Sequence, residues 1–403
     1  MSRVLQNKTI LLGVTGSIAA YKAATLASQL TQAGAHVDVV MTPEATQFIG
    51  ALTFEALTHR HVATDVMAML PDSTIGHVVM AKRADVFIIA PATAHSIAKI
   101  AHGFADDAVS ATALDTRAPL IIAPAMETGM WENAATQENV AKLVARGAQI
   151  VEPGSGRLAS GALGKGRMAE VDDIVDTLRA TLGRDGDLAR RKIVITAGGT
   201  QEAIDPVRVI ANHSSGRMGF ALAESARDRG ACVTLIAGTT NLRVPRGMEI
   251  VRAISATEMR DAVLRAIVDA DALVMAAAVA DFRPLKTADQ KIKKGSADTI
   301  TLDLTRNPDI LREVAAWRAE SHHALVVVGF AAETQNLLAN ARAKLAAKNL
   351  DLIVANPVPA SFGGDLEEAT LIDHDGAANA LPPMPKSQVA EQILDFVAMR
   401  LNE

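Results

Sequence analysis

Two short glycine–serine stretches stand where an apolar run gives way to a helical pattern. Gly16-Ser17 follows the run at residues 9–14, and Ser214-Ser215-Gly216 precedes a helical pattern over 217–229. At Gly16-Ser17 the turn would set free backbone N–H groups and a hydroxyl at a helix N-terminus, where a phosphate is well held. The turn is not a nicotinamide-dinucleotide signature. The G-x-G-x-x-G spacing is missing, and the following strand ends in Met41-Thr42-Pro43 with no acid for a ribose. His77 sits in a helical pattern at 74–83 and, as a bare residue, reads as a structural histidine. Lys344 and Lys348 lie one helical turn apart, and as bare residues they describe a solvated face. The glycine-rich, basic stretch 154–167 reads equally as a mobile lid or as a surface connection.

The elements that must position these residues alternate strand and helix. In the first half, strands are expected at 9–14, 36–41, 85–90, 120–123 and 150–151, and helices at 18–33, 74–83 and 171–182. Two of the strands run into similar loops, Pro91-Ala92-Thr93-Ala94 and Pro124-Ala125-Met126-Glu127. Loops at the carboxyl ends of parallel strands are where doubly wound sheets bind ligands. A second opening begins at Lys192: an apolar run closed by Thr196 and Gly198-Gly199, a long loop, the helix at 217–229 and a strand at 232–237. Further strands are expected at 272–277, 299–304 (exposed), 325–330, 351–355 and 369–373, and helices at 256–269, 336–348 and 386–401. The charged, glycine-bearing stretch 183–191 reads as a linker. The fold class is therefore α/β, with two doubly wound, Rossmann-like domains at 1–182 and 192–403.

Composition narrows the function. The net charge is −5, so no global pull toward nucleic acid or an anionic membrane exists. One tyrosine and two tryptophans are too few for base stacking along RNA. Cys232 is the single cysteine, which excludes a disulfide framework; it is expected in the core of a strand. The opening residues carry no apolar secretory segment, and the longest apolar run, 272–280, is too short to span a bilayer. A cytoplasmic, non-membrane protein is the expectation.

The motifs resemble two families. Gly16-Ser-Ile-Ala-Ala-Tyr-Lys22, His77, Pro91-Ala-Thr-Ala94, Pro124-Ala-Met126 and Gly164-Lys-Gly-Arg-Met168 are similar to the flavin-dependent cysteine decarboxylases. Asn212-His-Ser-Ser-Gly-Arg-Met-Gly219, Ala276-Ala-Ala-Val-Ala-Asp281, Lys291-Ile-Lys-Lys294, Asn307-Pro-Asp-Ile310 and Gly329-Phe-Ala-Ala-Glu-Thr334 are similar to the phosphopantothenate–cysteine ligases. In order and total length the chain resembles the bacterial bifunctional family that joins both activities in coenzyme A biosynthesis. For the first half the resemblance implies a flavodoxin-like FMN domain. Gly16 and Ser17 would hold the flavin's phosphate, Thr42 and Thr93 its polar edge, and His77 would act in catalysis. Thiol oxidation by the flavin creates the electron sink that lets CO2 depart, and the reduced flavin then returns the hydride.

For the second half the resemblance implies activation of phosphopantothenate by CTP as an acyl-cytidylate, followed by attack of the cysteine amine. Lys291, Lys344 and Lys348 would contact the nucleotide, together with Ala277, Asp281, Asn307, Pro308, Asp309, Ile310 and Phe330. Asp281 would also steady Mg2+. Asn212, with Arg208 beside it, would handle the acyl-cytidylate. The family further implies a homo-oligomer, a trimer-based dodecamer. Two positions depart from the decarboxylase pattern: Glu127 stands where the family has Asn, and Ser160 where it has a proton-donating cysteine. Two alternatives follow, a ligase whose flavin domain serves as an oligomerisation scaffold and a non-enzymatic nucleotide-binding subunit.

Overall fold

The structure, a computed structural model, describes residues 3–67, 76–293, 299–333, 335–357 and 364–403. The chain divides into two compact units, residues 2–183 and 184–403.

In the first unit the strands are β1 (Thr9–Val14), β2 (His36–Met41), β3 (Val62–Ala63), β4 (Val86–Ala92), β5 (Leu120–Pro124), β6 (Gln149–Ile150), β7 (Gly154–Arg157) and β8 (Leu163–Arg167). The helices are α1 (Ala20–Gln32), α2 (Ala45–Phe48), α3 (Ala51–Thr58), α4 (Gly76–Arg83), α5 (Ala94–His102), α6 (Ala108–Asp115), α7 (Thr128–Trp131), α8 (Ala134–Ala145) and α9 (Val171–Gly183). Six strands form a parallel sheet in the order β3-β2-β1-β4-β5-β6. Helices cover both faces, so the central strands are apolar on both sides. Alternation along β1 divides the core: Ile10, Leu12 and Val14 pack with Leu26, Phe54 and Leu178 on one face, while Leu11 packs with Met80, Ile97 and Val109 on the other. The strand order reverses between β1 and β4, which sets the crevice for a ligand at their carboxyl ends.

In the second unit the strands are β9 (Lys192–Ala197), β10 (Gln201–Ala203), β11 (Val209–Ala211), β12 (Cys232–Ala237), β13 (Glu249–Arg252), β14 (Ala272–Met275), β15 (Phe282–Pro284), β16 (Leu304–Arg306), β17 (Val326–Glu333), β18 (Leu352–Pro357), β19 (Leu366–Asp373) and β20 (Ala378–Pro385). The helices are α10 (Arg217–Asp228), α11 (Ala256–Ala266), α12 (Ile310–Ser321), α13 (Leu337–Ala347) and α14 (Lys386–Leu401). The main sheet runs β13-β12-β9-β14-β17-β18-β19-β20, parallel up to β18 and antiparallel across the last two pairs. The α10 and α14 helices pack on one face and α11, α12 and α13 on the other.

Several expectations are revised. The stretch 154–167 is more than a glycine-rich loop: β7 and β8 pair as an antiparallel hairpin. The long loop after β9 contains the small hairpin β10–β11. The alternating stretch 299–304 contributes only its last residue to a strand, β16. Cys232 is exposed rather than a core residue, because it is the first residue of β12 and lies at the sheet's rim. Strand β20 was not expected, since Pro382, Pro383 and Pro385 argue against a strand interior; it lies at the sheet edge, where proline is tolerated. The stretch 183–191 is no loose tether. Leu188 is fully buried, its N–H donates to Arg229 O at 3.0 Å, and Asp187 pairs with Arg229.

Candidate functional sites

In the first unit the site grows from the carboxyl ends of β1, β2 and β4. Gly16 has no room for a side chain: a Cβ there would lie 2.5 Å from Glu44 Cβ. The Ser17 hydroxyl accepts from Ala19 N–H at 3.2 Å, and the N-cap of α1, Ala19, offers no side-chain acceptor of its own. Within the first turn of α1, Ala20 N–H donates to Ser17 O at 2.9 Å and Lys22 N–H to Ala19 O at 3.0 Å, so an incoming anion would meet the helix dipole and the Ser17 hydroxyl. Thr93 sits nearby as the N-cap of α5, accepting from Ser96 N–H at 3.2 Å. Thr42 is buried, and its hydroxyl accepts from Ala45 N–H at 3.3 Å, so its first role is to start α2.

A residue the motif pattern missed ties these loops together. The buried Thr15 hydroxyl donates to Pro91 O at 2.8 Å and accepts from Thr93 N–H at 3.0 Å. Its only sequence signal is a hydroxyl closing an apolar strand.

His77 is the second residue of α4, and its Nδ1 lies 3.1 Å from Val66 O. A carbonyl can only accept, so Nδ1 carries the proton and Nε2 is left with its lone pair. The expected start of this helix, residues 74–75, lies outside the described residues, as do Lys294 and Thr334 of the motifs quoted above.

The two departures meet. Ser160 Oγ donates to Glu127 Oε2 at 2.9 Å. The β7–β8 hairpin makes this possible by lying close against the chain at Met126–Thr128. Met126 N–H donates to Gly166 O at 3.0 Å, and Cβ atoms at Gly164 and Gly166 would fall 2.1 Å from Thr128 Oγ1 and 2.2 Å from Met126 O.

In the second unit one cleft of about 1380 Å3 is lined by Asn212, Ala277, Asp281, Asn307, Pro308, Asp309, Ile310, Phe330, Lys344 and Lys348. The loop at 277–281 is held by two buried threonines: Thr196 Oγ1 accepts from Ala277 N–H at 3.0 Å, and Thr200 Oγ1 from Ala280 N–H at 2.9 Å. Asn307 clamps the same loop, donating to Asp281 O from its backbone and to Ala280 O from its side chain, both at 2.8 Å. Asn212 joins it from the other side through Nδ2 to Val279 O at 3.1 Å. Asp309 is the N-cap of α12 and also pairs with Lys348. Lys344 donates to Phe330 O at 2.8 Å. Burial lowers its pKa, against the opposing pull of Glu333 and Asp281. Neither lysine is a free solvated face.

Lys291 and Arg208 are not among the residues lining this cleft. Arg208 instead pairs with buried Asp205 at 3.1 Å and donates to Ile292 O at 3.3 Å, so it anchors the loop that carries Lys291. Backbone donors lower the pKa of Asp205 against the cost of burial, the largest influence on it, with Arg208 adding to them. No group of three or more His, Cys, Asp or Glu side chains among the described residues could hold a metal by itself. Asp281 is exposed at the lip. The cleft is also lined by Arg217 of the 212–219 motif and by Asn356, Glu367 and Lys386, which no motif singled out.

Comparison with known proteins agrees with this division. The sequence model of the flavoprotein family matches residues 1–183, and that of the DNA/pantothenate metabolism flavoprotein C-terminal domain matches residues 188–401. The chain is 46% identical to the coenzyme A biosynthesis bifunctional protein CoaBC of Mycobacterium tuberculosis, with 97% of this chain and 96% of the relative covered. It is 45% identical to that of Bacillus subtilis, with 98% of each covered. A solved structure of the C-terminal domain of a CoaBC protein is 36% identical, with a TM-score of 0.47 over 54% of this chain and 98% of that one. Near-complete coverage at this identity, with both family models in order, means that the chain belongs to the bifunctional coenzyme A biosynthesis (CoaBC) family.

Proposed function

We propose that the second unit joins cysteine to phosphopantothenate at the expense of CTP, and that the first unit decarboxylates the product with FMN. The observation that carries the reading is the single cleft in which Asn212, the 277–281 loop, residues 307–310, Phe330, Lys344 and Lys348 converge. Lys344 and Lys348 supply the cationic wall a triphosphate needs, and the rigidly bonded loops fix the acyl phosphate against it. Asp281, exposed at the lip, would offer Mg2+ one carboxylate oxygen. Asn212 positions the acyl-cytidylate through its amide, and Lys291, carried by the Arg208-anchored loop, reaches the nucleotide from outside the cleft wall.

The first unit fits FMN at the α1 turn, where Gly16 permits close approach and Ser17 and the helix N-terminus meet a phosphate. The flavin, when bound, supplies the oxidation that makes loss of CO2 possible and the returning hydride. His77 Nε2 is the proton-handling group. Ser160 and Glu127 are a hydrogen-bonded pair where the family has a thiol and an amide. Thr93 and Thr42 shape the loops around the seat rather than spending free hydroxyls on it. Exposed apolar Ile18 and Tyr21 flank the seat, which supports a homo-oligomer, with the trimer-based dodecamer as the expected form. No helix among the described residues is long and apolar enough to cross a membrane, and a chain whose single cysteine is free suits a reducing, cytoplasmic setting.

The test is mass spectrometry of the full chain with phosphopantothenate, cysteine, CTP, Mg2+ and FMN. Ligated product that then loses CO2 supports both halves. Ligated product that keeps its carboxylate would leave the first unit without the proposed activity. In the same assay His77→Asn is expected to cut CO2 loss by about 10²–10⁴-fold, with ligation unchanged and flavin absorbance still co-eluting with the chain.

A further inference from the structure

The cleft of the second unit has a second end that the nucleotide motifs do not use. Asn356 is the last residue but one of β18, Glu367 stands near the start of β19, and Lys386 opens α14, so the topology brings all three to one rim of the sheet. Each is more than nine-tenths buried, with 8%, 4% and 8% of its surface exposed, yet all three line the cleft. Lys386 Nζ and Asn356 Nδ2 both donate to the Glu367 carboxylate, one to each oxygen. A carboxylate only accepts, so this arrangement fixes the orientation of the Asn356 amide. Its Oδ1 is therefore turned the other way, and it is buried with no hydrogen-bond partner among the described residues. An orphaned buried acceptor is costly unless something donates to it.

Lys386 is paired with Glu367, and the neighbouring Arg217 is paired with Asp365 at 2.6 Å. A ligand carrying both signs finds a partner for each here. The unfilled acceptor beside a carboxylate calls for an ammonium, and the lysine beyond it for a carboxylate.

We propose that Asn356, Glu367 and Lys386 form the subsite for a zwitterionic α-amino acid, the second substrate of the ligation. The ammonium donates to Asn356 Oδ1 against Glu367, and the carboxylate faces Lys386. This rests on the ligase reading above, and it assigns to three residues outside the nucleotide motifs the choice of the amine that enters.

The experiment separates two half-reactions in the full chain. Pyrophosphate release from CTP and phosphopantothenate without cysteine reports acyl-cytidylate formation; if the wild-type chain shows none, the ligase reading itself fails. Given that release, Asn356→Ala and Asn356→Leu are expected to leave it unchanged while raising the KM for cysteine by roughly ten- to a hundredfold. An unchanged cysteine KM, or a rise confined to phosphopantothenate, overturns the assignment. A measurement on the wild-type chain guards against misfolded variants. Cysteamine, which keeps the amine and thiol but lacks the carboxylate, is expected to show a KM at least as strongly raised over that of cysteine. Equal KM values for the two amines overturn the proposal whatever the variants do.

Discussion

Lys344 shows how burial converts a surface-type residue into a responsive one. Desolvation lowers its pKa below that of a free lysine, and the nearby Glu333 and Asp281 only partly restore it. A triphosphate would add negative charge beside it and raise the pKa again. The sign follows: between the lowered and the restored value, the free protein carries a neutral Lys344 and the complex a charged one. Binding of CTP at alkaline pH is therefore expected to take up a proton. Calorimetry in two buffers of different ionisation enthalpy measures that uptake, and Lys344→Met should reduce it, the remainder belonging to Lys348, whose pKa burial also lowers; undiminished uptake in the variant would assign it elsewhere. Asn212 makes a different point. Its Nδ2 donates to Val279 O, and an aspartate in its place cannot donate and sets two acceptors face to face. Asn212→Asp is expected to lower ligation by about 10²–10³-fold, the loss of one positioned transition-state contact. Steady-state turnover with CTP binding measured separately distinguishes this from lost affinity, and wild-type turnover would remove Asn212 from the site.

Among the elements, the β7–β8 hairpin depends on glycine for proximity rather than for mobility. A Cβ at Gly164 would strike Thr128 Oγ1, and one at Gly166 would strike backbone at Met126. Gly164→Ala is thus expected to push the hairpin off the α7 loop at a cost of about 1–3 kcal/mol. Faster proteolytic cleavage within 154–167, with the rest of the first unit intact, is the expected readout; a cleavage rate equal to that of the wild type would show that the hairpin accommodates the methyl. The sequence carried the glycines but not their purpose, since glycine-rich composition describes a flexible loop and a close-packed hairpin alike. Central strands were legible because burial on both faces leaves continuous apolar runs: β1, β2 and β12 lie at their expected bounds. Strand β20 was not, because its prolines are compatible only with a sheet edge, and edges are defined by tertiary order. The loops that line the cleft of the second unit were legible as motifs, whereas the roles of Thr15, Thr196 and Thr200 were not. Their hydroxyls matter through bonds to residues about 80 positions away. Asn356, Glu367 and Lys386 likewise become a cluster only when β18, β19 and α14 share a rim.

For the molecule as a whole, the boundary between the units decides whether the second can stand alone. Its first strand begins at Lys192, which suggests cutting there, but the residues before it belong to its packing. Leu188 is fully buried in the core formed by α10 and α14. Arg191 donates to Asp271 at 3.1 Å and to Leu401 O at 2.7 Å, and Arg229 gathers Asp187, Glu391 and Asp395 around one guanidinium. A fragment 184–403 is expected to fold, and a fragment 192–403 to be less stable by at least the burial of one leucine, about 2–5 kcal/mol. Part of that difference depends on pH. The Arg229 guanidinium holds the Asp187 carboxyl below its ordinary value. The Asp187 contribution is therefore fully present above the unfolded carboxylate's pKa of about 3.9, and it is lost as pH falls through the lowered folded value. Denaturant unfolding of the two fragments at neutral and at strongly acidic pH should show a gap that narrows in acid without closing, because the Leu188 share does not titrate. Equal stability at neutral pH would mean that 184–191 is a tether after all, and a gap that closes completely in acid would assign it to the ion pair alone.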